Sequence, residues 1–367
     1  MEIKFLNYLQ YIDDPRISGM IVYPLDEILL TVLVGVLCRS EDFDEIEDMC
    51  ADQLTWMQKI LPFANGIAPA QTLRRTLSRL DPLQLERVFS SWTASLKERL
   101  TGVIAVDGKA LRGSKEDADG AGALHVVQAY AHEAGMVLAQ IGTDGKGYEI
   151  QAIAEVLDML ELEGTIVTID AIGTQKEIAA QIRKKKADYV LALKANQKTL
   201  HEDAVMFFAD PALAQGCAAY TQSSSGHGRI EERTCLAADA SWLAERHPAF
   251  PGIASLACIT ARRTDKKTGA VSEEKRLYIS SLPPDPKTIS AAARAHWSIE
   301  NNLHWQLDVT FREDQCRTRK DHAPRNLAMI RRAVLNILRK EPSTMSLKRK
   351  RLKALMSPDF RKDVLTC

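Results

Sequence analysis

Gly102-Val-Ile-Ala-Val-Asp107 is a short run of apolar and β-branched residues that ends on an acid. Thr165-Ile-Val-Thr-Ile-Asp170 repeats the pattern, and Tyr189-Val-Leu-Ala-Leu-Lys194 is a third such run. Continuous apolar runs of this length read as strands buried on both faces. Leu124–Ala131 and Met136–Ile141 read as two more strands around a turn at Glu133–Gly135. Helical spacing fills Glu149–Leu160 and Lys176–Lys186. Three strands, a helix, a strand, a helix and a strand describe an α/β (α+β) fold, a mixed sheet with flanking helices.

The flanks read differently. Residues 1–100 form a helical N-terminal domain. Leu25–Leu37 is apolar nearly all round, as in a buried helix, and Pro24 gives its start. Phe43–Trp56, Ala70–Leu80 and Leu83–Arg99 follow, with Arg74, Arg75 and Arg79 on Ala70–Leu80. Short helices bearing arginines are compatible with a DNA reader of the helix-turn-helix kind, and equally with an ordinary solvated helix. Residues 197–287 carry loop signals and strand-like runs at Ile253–Arg262 and Lys275–Ser280, so they read as a β-rich insertion. Helix returns at Thr288–Leu307, Ala323–Lys340 and Ser346–Leu355. The expected division is 1–100, a core of 101–196 with 288–340, the insertion 197–287, and a basic tail 341–367.

The chain has 367 residues and as many basic as acidic side chains, 48 each. The balance is regional. Residues 1–100 hold 10 basic and 15 acidic groups, while 312–367 hold 16 and 6. A basic end on an acidic body suggests a polyanionic partner for that end, or a solvated helical face. Seven cysteines at wide spacing, with no C-x-x-C, give no support for a zinc ribbon or redox motif. The longest apolar stretch, Ile28–Cys38, is too short to span a bilayer. A reduced cytoplasmic setting without membrane partners is expected.

The candidate chemistry lies in a few acids. Asp107 and Asp170 each close a strand, where an open α/β layer presents ligands. Two such carboxylates on adjacent strands repel unless a cation lies between them, and oxygen donors suit magnesium or manganese. Each alone fits a cap or turn aspartate as well. A third acid is Glu300, in His296-Trp-Ser-Ile-Glu-Asn-Asn-Leu-His-Trp305. On a helix His296, Glu300 and His304 share one face. This spacing is not the H-E-x-x-H of metalloproteases.

At these residues the sequence resembles a known family. Ala105-Val-Asp-Gly-Lys-Ala-Leu-Arg-Gly-Ser114 is similar to the first-aspartate block of the H-repeat-associated DDE transposases of bacterial insertion sequences. Gly164–Lys176, Ala187–Gln197, His227-Gly-Arg-Ile-Glu231, His296–Trp305 and Leu307–Asp314 resemble later blocks, in order. Asp14-Pro-Arg16, Tyr23–Ile28 and Asn65-Gly-Ile67 extend the likeness to the N-terminus. The resemblance implies an RNase H-like core and a triad of Asp107, Asp170 and Glu300 holding two Mg2+ or Mn2+ ions. It implies cleavage and strand transfer at insertion-sequence ends, on terminal inverted repeats and target DNA, by a homodimer associated with the nucleoid. Ala293, His296 and Leu307 stand where related transposases carry tyrosine, arginine and lysine. Ala195, Gly147 and Tyr148 also depart from the pattern.

Lys109, Arg112, Lys194, Asn196, His227 and Arg229 lie beside the motif blocks and are expected at phosphates or bases near the cleaved end. His296, Trp297, Asn301, His304 and Trp305 are expected to position or stack on that end. Two other readings remain: a degenerate or domesticated relative that binds DNA without cutting, and an RNase H-like nuclease without strand transfer.

Overall fold

A computed structural model of the chain describes residues 3–96, 100–115, 122–143, 145–226 and 228–367. Its centre is a nine-stranded sheet. The strands are β1 (Gly102–Leu111), β2 (Leu124–Ala131), β3 (Met136–Thr143), β4 (Thr165–Ile169), β5 (Asp188–Leu193), β6 (Ala218–Gly226), β7 (Arg229–Asp239), β8 (Ser255–Asp265) and β9 (Val271–Ser280). Their order is β3-β2-β1-β4-β5-β9-β8-β7-β6. The first five form the mixed sheet expected of the core: β1, β2 and β3 pair antiparallel, while β4 and β5 run parallel to β1. The four strands of the insertion do not form a separate layer. β9 pairs antiparallel with β5, from Val190↔Ser280 to Leu193↔Leu277, and carries β8, β7 and β6 outward.

The two-residue period of a strand decides what each face holds. On the back face Ile104, Val106, Val167, Ile169 and Leu191 pack with Ile153, Val156, Ile178 and Ile182 of the helices Glu149–Asp158 and Lys176–Lys184. On the front face Val103 and Val190 pack with Ile289 and Ala292 of the helix Pro286–His296. That helix starts two residues before the expected Thr288, because Pro286 follows a capping Asp285 whose carboxylate accepts from the Lys287 and Thr288 amides.

The front face is also covered by a helical body whose core is continuous. Leu30 and Leu33 of Leu25–Leu37, Phe89 of Pro82–Ser95, Leu335 of Ala323–Lys340, and Val364 of Pro358–Thr366 belong to one cluster. The last 27 residues are therefore not a free basic arm. They form the helices Leu347–Met356 and Pro358–Thr366 and pack on the first hundred residues. Several of their cations are buried: Lys350 donates to Leu338 and Glu341 carbonyls, Arg351 to the Val36 carbonyl, and Arg361 lies 4.6 Å over the Trp56 ring. The net positive charge is real, yet much of it serves as internal scaffold rather than as a phosphate-facing surface.

Candidate active site

Asp107 and Asp170 sit side by side because of register. β1 and β4 pair from Gly102↔Thr165 to Val106↔Ile169, so the next residue on each strand is one of the two acids. By parity both point to the front face, along with Thr168 and with Gln128, the β2 partner of Asp107. The sequence reading ended β1 at Asp107, but the strand continues to Leu111 through its pairing with β2. Asp107 thus marks the point where β4 leaves β1, which opens the sheet beside it. Asp107 Oδ1 accepts from the Gly108 amide at 2.9 Å. Asp170 Oδ1 accepts from the Ile172 and Gly173 amides at 3.0 and 3.4 Å, an Asx turn that fixes the carboxylate.

Glu300 comes from above the front face. The expected continuous helix over 288–307 is broken: Pro286–His296 ends, and Glu300–His304 forms a π-helical turn before Trp305–Val309. The wider turn brings residues four apart closer to one line, so Glu300 and His304 both face the sheet; such turns recur at functional sites. Two charged clamps hold this segment down. Lys109 Nζ, buried, reaches Asp308 at 2.7 Å and Asp314 at 2.9 Å. Arg332, fully buried, pairs with Glu313 through both guanidinium amines.

Asp107, Asp170 and Glu300 line one cavity of about 700 Å3, with Thr168, Lys194 and His296. Burial pushes the Asp107 carboxyl up to about 7; the neighbouring Asp170 charge adds to this, the Gly108 amide opposes it, and Glu300 and Glu149 contribute further. Among the described residues no group of three His, Cys, Asp or Glu side chains already stands close enough to hold an ion. Glu300 is the exposed member of the three.

The other expected residues divide. Lys194 is exposed at the end of β5 and lines the cavity. Arg112 is 85% exposed, with one long contact to Asp314 at 3.5 Å. Arg229 is exposed at the tip of the β6–β7 hairpin, where it pairs with Gly226, far along the insertion. His227 lies outside the described residues. Asn301 and Trp305 are exposed on the segment after Trp297.

Five residues are placed otherwise than expected. Lys109 is buried and paired with Asp308 and Asp314 inside the protein rather than free beside the cavity. Asn196 is exposed but donates to the Ala171 carbonyl at 2.6 Å, bracing the loop after Asp170. His296 turns to Thr168, Nδ1 to Oγ1 at 3.2 Å, and burial lowers its pKa against the pull of Asp170. Trp297 lines the cavity, and one face of its ring is already covered by the Arg276 guanidinium, 3.9 Å from the ring centre. His304 is turned inward rather than toward DNA: Nδ1 is 3.9 Å from Asp107 Oδ2, and burial, with Lys109 and Arg332 nearby, drops its pKa to about 3.

Sequence reasoning missed the contribution of the insertion. His201 of Lys198–Ala209 and Glu274, Lys275 and Arg276 of β9 line the same cavity. No local motif marks them; the pairing of β9 with β5 brings the three β9 residues there, and His201 comes from the helix that follows β5. It also missed the pair His125–Glu149, 3.3 Å apart behind Gly108, where any Cβ would collide with both side chains.

Two domain families match the chain. The family "Transposase DDE domain" matches residues 98–337, and the family "DDE_Tnp_1-associated" matches 6–93. The chain belongs to the DDE transposase family. It is 36% identical over 369 residues to YncI of Escherichia coli O157:H7, which carries a provisional transposase name; the match covers 99% of this chain and 94% of the relative. It is 33% identical over 377 residues to the H repeat-associated YhhI of E. coli K12, provisionally named in the same way, covering all of this chain and 98% of that one. Among solved structures, the piggyBac transposase synaptic complex with hairpin DNA aligns with a TM-score of 0.44 at 10% identity, over 99% of this chain and 77% of the other.

Proposed function

We propose that this transposase cleaves DNA at the ends of its insertion sequence and joins them to target DNA, with Asp107, Asp170 and Glu300 as its catalytic carboxylates. One observation carries the reading: three acids from β1, the end of β4 and the π-turn line a single cavity that also contains Lys194, Lys275 and Arg276. The donor set is all carboxylate oxygen, which suits Mg2+ or Mn2+. Burial first, and then repulsion from Asp170, raises Asp107; a divalent cation relieves that repulsion, so these residues fit two such ions. When bound, the ions supply activation of a water or 3′-hydroxyl and charge stabilisation at the leaving 3′-oxygen.

The chain's own residues do the rest. The register of β1 and β4 and the Asx turn at Asp170 fix two carboxylates. The clamps at Lys109 and Arg332 hold the segment that carries the third, and rotation of the exposed Glu300 side chain completes the set. Lys194 and Arg112 offer cations to the phosphates on either side. The partner is double-stranded DNA, and joining two ends calls for two protomers on them. Among the described residues no helix is long and apolar enough to cross a membrane. We place the action on chromosomal DNA in the cytoplasm.

The test is nicking of a supercoiled plasmid that carries the native ends, in Mn2+, by wild type and by Asp170→Asn. Nicking that falls about 10³-fold or more in the variant supports the carboxylate site. Nicking by both proteins alike places the activity elsewhere. Nicking by neither favours DNA binding without catalysis, and cutting without joining favours a nuclease.

A further inference from the structure

Asp107 stands at the end of a buried chain of polar side chains that no motif announces. It starts at Glu313, which accepts both guanidinium amines of Arg332. Arg332 Nε then donates to Gln128 Oε1 at 2.8 Å. An arginine has no acceptor, so this bond fixes which end of the Gln128 amide is oxygen. The Gln128 Nε2 amine is left facing His304 Nε2 at 3.4 Å. An amine only donates, so His304 Nε2 must accept and carry no proton. The proton of the neutral ring is therefore on Nδ1, and Nδ1 faces Asp107 Oδ2 at 3.9 Å. That gap is about 1 Å beyond a hydrogen bond, within reach of a small carboxylate rotation. Oδ1 of the same carboxylate is already held by the Gly108 amide. Glu313, Arg332 and Gln128 are all buried, so water does not compete for these bonds.

We propose that His304 is a positioning residue, held as the Nδ1–H tautomer by the chain Glu313–Arg332–Gln128, which orients the Asp107 carboxylate by donating to Oδ2. The importance of orienting Asp107 rests on the proposed catalytic role of that residue; the tautomer does not. The arrangement parallels partners that orient the ligands of metal sites from behind, whose loss costs about 10–100-fold in affinity or activity. It also accounts for a histidine four residues beyond Glu300, at a position of the π-turn that stands beside Asp107.

Two measurements on the full chain test it. In protein labelled with 15N-histidine, long-range 1H–15N spectra report the tautomer of each ring, and His304→Asn assigns the signal. The expected result is a neutral Nδ1–H ring at pH 7.5 that loses this preference in Gln128→Met. An Nε2–H ring, or a Gln128→Met protein with an unchanged ring, overturns the proposal whether or not any DNA is cut. In the nicking assay, His304→Phe is expected to lose about 10–100-fold and to need more Mn2+. His304→Asn, whose amide nitrogen takes the place of Nδ1, is expected to recover most of that loss. Equal losses in Phe and Asn would mean that the ring only fills space, which overturns the proposal while leaving Asp107 catalytic. Absence of nicking in wild type would sink the functional reading instead, and the spectra would still decide the tautomer.

Discussion

The carboxylates of the cavity and the cations of the C-terminal segment are charged residues with opposite fates. Asp107, Asp170 and Glu300 converge on open space with no cationic side chain bonded to any of them among the described residues. Arg332, Lys350 and Arg361 are buried and have every charge answered by a carboxylate, a carbonyl or a ring. Charge counted along a sequence treats the two sets alike. The partner decides the role: uncompensated charge beside a cavity is a site waiting for a ligand, while compensated charge inside a core is architecture.

The sharpest way to break this comparison is to mutate one residue of each set and measure both activity and stability. Asp170→Asn should lose nicking by about 10³-fold or more while unfolding at or above the wild-type temperature. Arg332→Met should do the reverse in order of cause. It leaves Glu313 charged and buried without a partner, at a cost of about 3–5 kcal/mol. Because Arg332 also holds Gln128, the protein that stays folded should lose at most the about 10–100-fold expected of a positioning partner, well short of the Asp170→Asn loss. Adding Glu313→Leu should return much of the lost stability. Stability loss in Asp170→Asn, or none in Arg332→Met, would erase the distinction.

A second test uses pH. Asp107 titrates at about 7 in the folded chain against an ordinary carboxylate value of 3.8. The unfolded chain therefore releases this proton first as pH rises. Between pH 4 and 7 folding requires the neutral form, and the ion-free protein loses stability across that window. Asp107→Asn removes the effect. In EDTA it should be more stable than wild type, by about 1–2 kcal/mol at pH 8 and less at pH 5. A gain independent of pH would show that Asp107 is not the group responsible. By the same reasoning, Mn2+ should bind wild type more weakly below pH 7, where it must displace a proton.

The strands that carry Asp107 and Asp170 were legible because burial on both faces leaves a plain apolar run in the sequence. So was Leu25–Leu37, whose bounds match the observed helix. The acids were legible as strand endings, and Glu300 through its motif block. What stayed hidden was non-local. β6 is a mostly exposed strand in which nothing alternates by burial, and β7 buries only Glu231, Cys235 and Ala237. The pairing of β9 with β5, which delivers Arg276 to Trp297, depends on residues about 85 positions apart. The clamp on Lys109 and the burial of the C-terminal helices are likewise products of packing, and the residues involved read as surface charge until their partners are known.

The smallest expected effect concerns cations that the fold leaves exposed. Arg112 is exposed at the end of β1, in the short turn Arg112–Ser114. Arg319 reaches the same turn, donating from Nε to the Gly113 carbonyl at 3.1 Å, and Lys320 next to it is exposed. None of these residues lines the cavity, so they suit backbone contacts rather than chemistry. Arg112→Ala should weaken DNA binding alike for native-end and unrelated sequences, and should lower the slope of log affinity against log salt by about 1. Lys350→Met provides the contrast. Its ammonium is spent on Glu341 and two carbonyls. Its loss should destabilise the fold without changing that slope. If both variants shift the slope equally, the buried cations also reach DNA, and the division between site and scaffold drawn from their partners is wrong.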